Sequence, residues 1–284
     1  MKSQIENFKQ HLINQAKSNN TVRNYTSDVT HYFNIFDTIN RNNIQLYKSK
    51  LSHLSAKTIN LKLSALKSFN EYLLGEGLID SIFIIKPDFI KIQNSNTNPT
   101  NVTEEQVSIF LNNVKSKHNI YKSRNIAIIY LIANTGIRRE EITNIKLRDL
   151  DLENGELLIS KGKGNKQRGI LLNDKAIEVI NDYLIDRMKH KYFDSEYLFV
   201  SERSNKLHKD TINNIFDFYS INGCKVNPHS LRHSFATSAI EQDILTLPEL
   251  QDQLGHGSLQ VTSMYCHARK ENIKKKINNL RIGL

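Results

Sequence analysis

Cysteine is nearly absent: the 284 residues include two, Cys224 and Cys266. That excludes a disulfide framework, and with no Cys-x-x-Cys pair it excludes a structural zinc site of that kind, so a reducing compartment fits. Long apolar runs are missing too. No stretch approaches the roughly 18 consecutive apolar residues that cross a bilayer, and the opening Met1-Lys2-Ser3-Gln4-Ile5-Glu6 is polar. A secretory leader is therefore not expected; the expected address is cytoplasmic, with no membrane partner. His229 and His233 stand four apart, but Ser230, Leu231 and Arg232 lie between them, not the Glu of a zinc-protease helix. Gly162 to Gln167 lacks the Gly-Lys-Ser/Thr ending of a nucleotide-binding phosphate loop. Acidic charge is the last shortage. Asp and Glu number 29 against 39 Lys and Arg, a formal net charge of +10. Cationic surface gains affinity for polyanions by releasing counterions from phosphates, so DNA is favoured, although Lys274-Lys275-Lys276 alone reads best as a solvated helix face.

The length suggests two domains. Residues 1–92 carry apolar side chains at helical spacing in Ile5/Phe8/Leu12, Val22/Tyr25/Val29/Tyr32/Phe36, Tyr47/Leu51/Leu54 and Ile59/Leu63/Leu66/Leu73, which predicts about four helices and no strand. Thr21 and Ser55 are expected N-caps, and Gly75 and Gly77 the stop after the fourth helix. Residues 93–102, rich in Asn with Pro99, read as a linker. Thr103 with Gln106 forms a capping box that opens a second domain over 103–284. That domain is mostly helical, with a β-hairpin formed by Glu156–Ser160 and Gly169–Leu172 around a basic tip. Asn227-Pro228 is an N-cap and N1 pair, which puts His229 and Arg232 three apart near a helix start. Pro248 begins another helix that ends near Gly255.

The distinctive content is an ordered series: Arg138, Lys163, His229, Arg232, His256 and Tyr265. Five cations or hydrogen-bond donors and one phenol suffice to surround a phosphodiester. Each local motif has an ordinary reading alone. Gly162-Lys163-Gly164 is a hairpin tip, His229-Ser230-Leu231-Arg232 a capped surface turn, and Tyr265 a half-buried helix residue. Their joint order carries the signal.

In that order, and in Thr135-Gly136-Ile137-Arg138-Arg139-Glu140-Glu141, Pro228 through Thr237, and Leu254-Gly255-His256-Gly257-Ser258-Leu259, the chain resembles the tyrosine recombinases of the phage-integrase and Xer type. The resemblance implies a mainly α fold: an N-terminal four-helix core-binding, SAM-like domain, then an α+β catalytic domain with a small β-hairpin or sheet. It also implies that Arg138 and Arg232 clamp the scissile phosphate, where planar guanidiniums stabilise the extra charge of a pentacoordinate state. Tyr265 is the implied nucleophile. Its phenol, ordinarily near a pKa of about 10, needs surrounding positive charge or a base such as His229. Lys163 is the implied proton donor to the leaving 5′ oxygen, with Lys161 and Lys166 as alternatives on the same loop. His256 holds a phosphate oxygen or positions the tyrosine. Glu141 supports Arg138, and His233 reads as a supporting or core histidine.

Leu171 stands where many members carry Pro, and Cys266 where Thr is frequent; neither change removes a reacting group. The expected reaction passes through a 3′-phosphotyrosyl link and a Holliday junction, without cofactor or metal. The expected partner is double-stranded DNA carrying recombination sites, bound by a homo- or hetero-tetramer on two sites. Ile273, Ile277 and Leu280 form an apolar face that docks either on a neighbouring protomer or within the chain. Two other readings stand beside this one: a type IB topoisomerase-like relaxing enzyme, and a non-cleaving DNA-binding protein on the same fold.

Overall fold

The computed structural model describes residues 1–92, 102–160, 167–221 and 225–255. The chain divides into two compact units, Met1–Asn96 and Thr97–Leu284. It is mainly helical, with one small antiparallel sheet.

The first unit contains α1 (Lys2–Asn14), α2 (Asn19–Phe33), α3 (Arg41–Lys50) and α4 (Ala56–Gly75), followed by a single 3-10 turn at Lys86–Asp88. The apolar stripes read from the sequence converge in one core, where Phe8, Leu12, Val29, Tyr32, Ile44, Tyr47, Leu63, Leu66 and Phe69 are fully buried. Each such side chain contributes about 1.5–3 kcal/mol on leaving water. The Ser55 hydroxyl caps α4 by accepting from the Thr58 amide, as expected. The cap of α2 is Ser18 rather than Thr21: Ser18 Oγ accepts from the Thr21 amide at 3.1 Å, so the helix starts one turn earlier. Polar Asn19 and Asn20 obscure that extra turn in an apolar-periodicity reading.

The second unit is organised around α6 (Lys122–Thr135), which follows α5 (Glu104–Ser116). Ala127 through Ile132 are all buried, so α6 is enclosed on every side and serves as the central helix. The capping box of Thr103 and Gln106 opens α5 as read. After α6 comes the short α7 (Arg139–Ile142), then the sheet: β1 (Leu150–Asp151), β2 (Glu156–Ile159) and β3 (Arg168–Leu171), in the order β1-β2-β3 and antiparallel throughout. Strands β2 and β3 are the expected hairpin, with Leu157 opposite Ile170 and Ile159 opposite Arg168. Helices α8 (Asp174–Arg187), α9 (Lys209–Tyr219), α10 (Pro228–Glu241) and α11 (Leu247–Leu254) complete the described part. A small apolar cluster of Ala236, Ala239, Ile240, Leu250 and Leu254 joins α10 to α11.

Candidate active site

Two arginines of the ordered series meet where α6, α10 and α11 end or begin. Helix α6 terminates at Gly136, whose left-handed φ of +63° satisfies the last turn and lets the chain reverse. Two residues on, Arg138 occupies the N-cap position of α7. Asn227 caps α10 by accepting from the His229 and Ser230 amides, and Pro228 takes the first helical position. That start places Arg232 one turn into the helix and buried, with His229 exposed three positions before it.

The guanidinium of Arg232 donates to the Gly136 carbonyl and, at 2.8 Å, to the Leu254 carbonyl. Arg138 Nη2 donates to the Gly255 carbonyl at 2.8 Å. Both guanidiniums are thus fixed on consecutive carbonyls at the C-terminal end of α11, where the helix dipole favours positive charge. Glu141 anchors Arg138 from the other side. Its Oε2 accepts from the Arg138 amide and its Oε1 from Arg138 Nη1, both at 3.0 Å. Glu141 is itself only 5% exposed. Burial pushes its carboxyl up, but hydrogen bonds and charge from Arg168, joined by those from Arg138, outweigh it and hold the group below the ordinary carboxylate range.

Arg168 was not singled out by the sequence reading. It forms a fork onto Glu141, with Nη1 to Oε1 at 2.8 Å and Nη2 to Oε2 at 2.7 Å, and its Nε donates to the Gln253 carbonyl at 3.2 Å. A signal for it existed. On β3, Arg168 shares the inward phase with buried Ile170, and a cation on the inward phase of a strand requires a buried partner.

His233 is half-buried on α10, with Nδ1 within 3.3 Å of the Thr237 hydroxyl; burial, then the neighbouring His229, pulls its imidazole below the ordinary value. Lys163, His256 and Tyr265, with Lys161, Lys166 and the final segment, lie outside the described residues. Among the described residues, no three His, Cys, Asp or Glu side chains gather as a metal-ligand set, and no helix is long and apolar enough to cross a membrane.

The phage integrase family model matches residues 100–272, and the model of the phage integrase N-terminal SAM-like domain matches residues 5–77. The chain belongs to the phage integrase family. This recombinase is 38% identical over 285 residues to the TnP I resolvase of Bacillus thuringiensis, covering 96% of this chain and 98% of the relative. It is 31% identical to the tyrosine recombinase XerA of Pyrococcus furiosus, covering 98% and 94%. A crystal structure of the XerH site-specific recombinase in a post-cleavage complex with a palindromic difH substrate superposes with a TM-score of 0.68 at 27% identity, covering 90% of this chain and 77% of that one. The chain is a site-specific DNA recombinase that acts by strand cleavage and rejoining.

Proposed function

We propose that this recombinase cuts DNA through Tyr265, with Arg138, Lys163, His229, Arg232 and His256 as the rest of the catalytic set. The single observation that carries the reading is the shared anchoring of Arg138 and Arg232 on the carbonyls of Leu254 and Gly255. Two fixed guanidiniums side by side suit the charge that develops on the non-bridging oxygens of one phosphate, and being already in place they cost no reorganisation at the moment of reaction. The Tyr265 oxygen attacks phosphorus as His229 takes its proton. The bond to the 5′ oxygen breaks, and Lys163 supplies the proton that oxygen needs. His256 holds a phosphate oxygen or the tyrosine. The product is a 3′-phosphotyrosyl link and a free 5′ hydroxyl. Attack by the 5′ hydroxyl of a second strand reverses the step and passes through a Holliday junction, without metal or external energy.

Residues 1–92 serve as the core DNA-binding domain, 93–102 as the linker and 103–284 as the catalytic domain. Two duplex sites present four strands, and one nucleophile per chain calls for four subunits, a homo- or hetero-tetramer acting in the cytoplasm. The names and complexes of its relatives favour recombination over topoisomerase-like relaxation or binding without cleavage.

The test is a suicide-substrate assay. Wild type and Tyr265→Phe are incubated in EDTA with tiled nicked duplexes from the protein's own genomic neighbourhood, and denaturation-resistant adducts are scored. An adduct that requires Tyr265 is expected; DNA binding without any adduct from wild type overturns the catalytic reading.

A further inference from the structure

Arg168 has no place in the catalytic set above, yet its guanidinium is committed to three hydrogen bonds at the site. Its side chain is 12% exposed and grips both carboxylate oxygens of Glu141. Its third contact, from Nε to the Gln253 carbonyl, reaches the last turn of α11. The same helix end is stitched to β3 by a second pair of bonds: the Leu171 amide donates to Gln253 Oε1, and Gln253 Nε2 donates back to the Leu171 carbonyl, both at 3.4 Å. Gly255 completes the enclosure. It holds φ +62°, and a Cβ there would lie 2.7–2.9 Å from the Arg168 guanidinium, so the planar group lies flat against a backbone that has no side chain to separate them.

From this placement we infer that Arg168 is a positioning residue: through Glu141 and Gln253 it sets three segments of the site in register, namely the Arg138 turn, strand β3 and the end of α11. Each of those segments leads to a residue of the proposed chemistry. Arg138 is bonded directly to Glu141, β3 begins five positions after Lys163, and α11 stops immediately before Gly255 and His256. The inference rests on the tyrosine-recombinase reading of the site.

A bidentate guanidinium between two elements fixes both distance and angle, which a single ammonium does not. Loss of that fixation displaces reacting groups without removing any of them. Misplacement of about 1 Å at a reacting centre costs on the order of 100-fold in rate. Among the described residues, the charged groups on Glu141 are Arg138, at the N-cap of α7, and Arg168 from β3; Lys209 of α9 pairs instead with the neighbouring Glu140.

The experiment uses the full chain and the nicked duplexes described above, with wild type, Arg168→Lys, Arg168→Met, Glu141→Gln and the Arg168→Met/Glu141→Gln double variant. Adduct formation is timed at saturating protein, DNA affinity is measured separately, and thermal unfolding reports on the fold. Arg168→Met is expected to slow adduct formation about 100-fold with DNA affinity unchanged, and Arg168→Lys to restore part of the loss. The double variant is expected to be no slower than the slower single variant, because both changes cut the same link, whereas independent lesions would multiply. Relative to wild type, Arg168→Met should lose additional cleavage as the pH falls, since Glu141 is then buried without its main partner; the double variant should lack that additional loss.

Wild-type rates in folded Arg168→Met, or multiplied losses in the double variant, overturn the inference. If Arg168→Met does not fold, Arg168→Lys decides, and a wild-type rate from it likewise overturns the inference. Failure of wild type to form any adduct on these DNAs defeats the proposed Tyr265 catalytic set on which the inference rests, a different outcome from an adduct that forms at equal rate with and without Arg168.

Discussion

At the residue scale, Arg232 is bound by what it holds. Its guanidinium spans two carbonyls on different elements, those of Gly136 and Leu254. A lysine keeps the charge but has one nitrogen, so it meets one of them at a time and presents no planar fork to phosphate. Arg232→Lys is expected to bind DNA nearly as wild type and to lose about 100- to 1,000-fold in single-turnover cleavage, the usual cost of removing one preorganised donor. A rate within severalfold of wild type would show that Arg232 is structural only. The placement of this residue and of His229 three apart on α10 was legible because Asn227-Pro228 fixes the helix start. Arg168 was not, because it follows the Lys-rich hairpin tip closely and reads as one more tip cation. Only the strand phase, with Ile170 two positions on and buried, distinguishes it.

At the scale of elements, the passage from α6 to α7 depends on Gly136. Its left-handed conformation disfavours any Cβ, and a Cβ there would fall 2.5 Å from Leu254 Cδ2 and 2.7 Å from Phe235 Cδ1. Phe235 lies on α10 and Leu254 ends α11, so both helices close over this turn. Gly136→Ala is expected to destabilise the second unit by at least about 1–2 kcal/mol from the backbone alone, with a further cost for moving two packed side chains. A lowered Tm that cleavage activity follows would bear this out; an unchanged Tm would mean that α10 and α11 yield freely. Most elements could be read from the sequence because apolar period and caps agreed, as at α4, α5 and the β2–β3 hairpin. Strand β1 escaped because two residues carry no period. The start of α2 was misplaced because its first turn is polar and only the Ser18 hydroxyl marks it.

For the whole molecule, the division into two units has an energetic side. Among the described residues, the core of the first unit is built from side chains between Ile5 and Phe89. A fragment of residues 1–92 is therefore expected to unfold as one cooperative helical transition. One ionic tie closes that fragment onto itself. Asp88, 2% exposed, accepts from Arg41, from Gln45 Nε2 at 2.8 Å and from the Ile85 amide at 2.8 Å, which fastens the tail after α4 to α3. Burial pushes the Asp88 carboxyl up, but the bonds from Arg41, Ile85 and Gln45 together with the Arg41 charge outweigh it, and its pKa lies below the ordinary value. A carboxyl whose folded pKa is depressed stabilises the fold fully above its unfolded value, near about 3.9. As the pH falls through the folded value, that contribution is lost. The fragment should accordingly hold a constant Tm from neutral pH down to about pH 5 and weaken below about pH 4. Asp88→Asn keeps the shape and loses the charge-assisted bonds, so it should cost about 1–3 kcal/mol at neutral pH and flatten the acid limb. If the variant and the wild-type fragment weaken in parallel below pH 4, the acid sensitivity belongs to other carboxylates, and the tie of α3 to the tail is not what the Asp88 charge maintains.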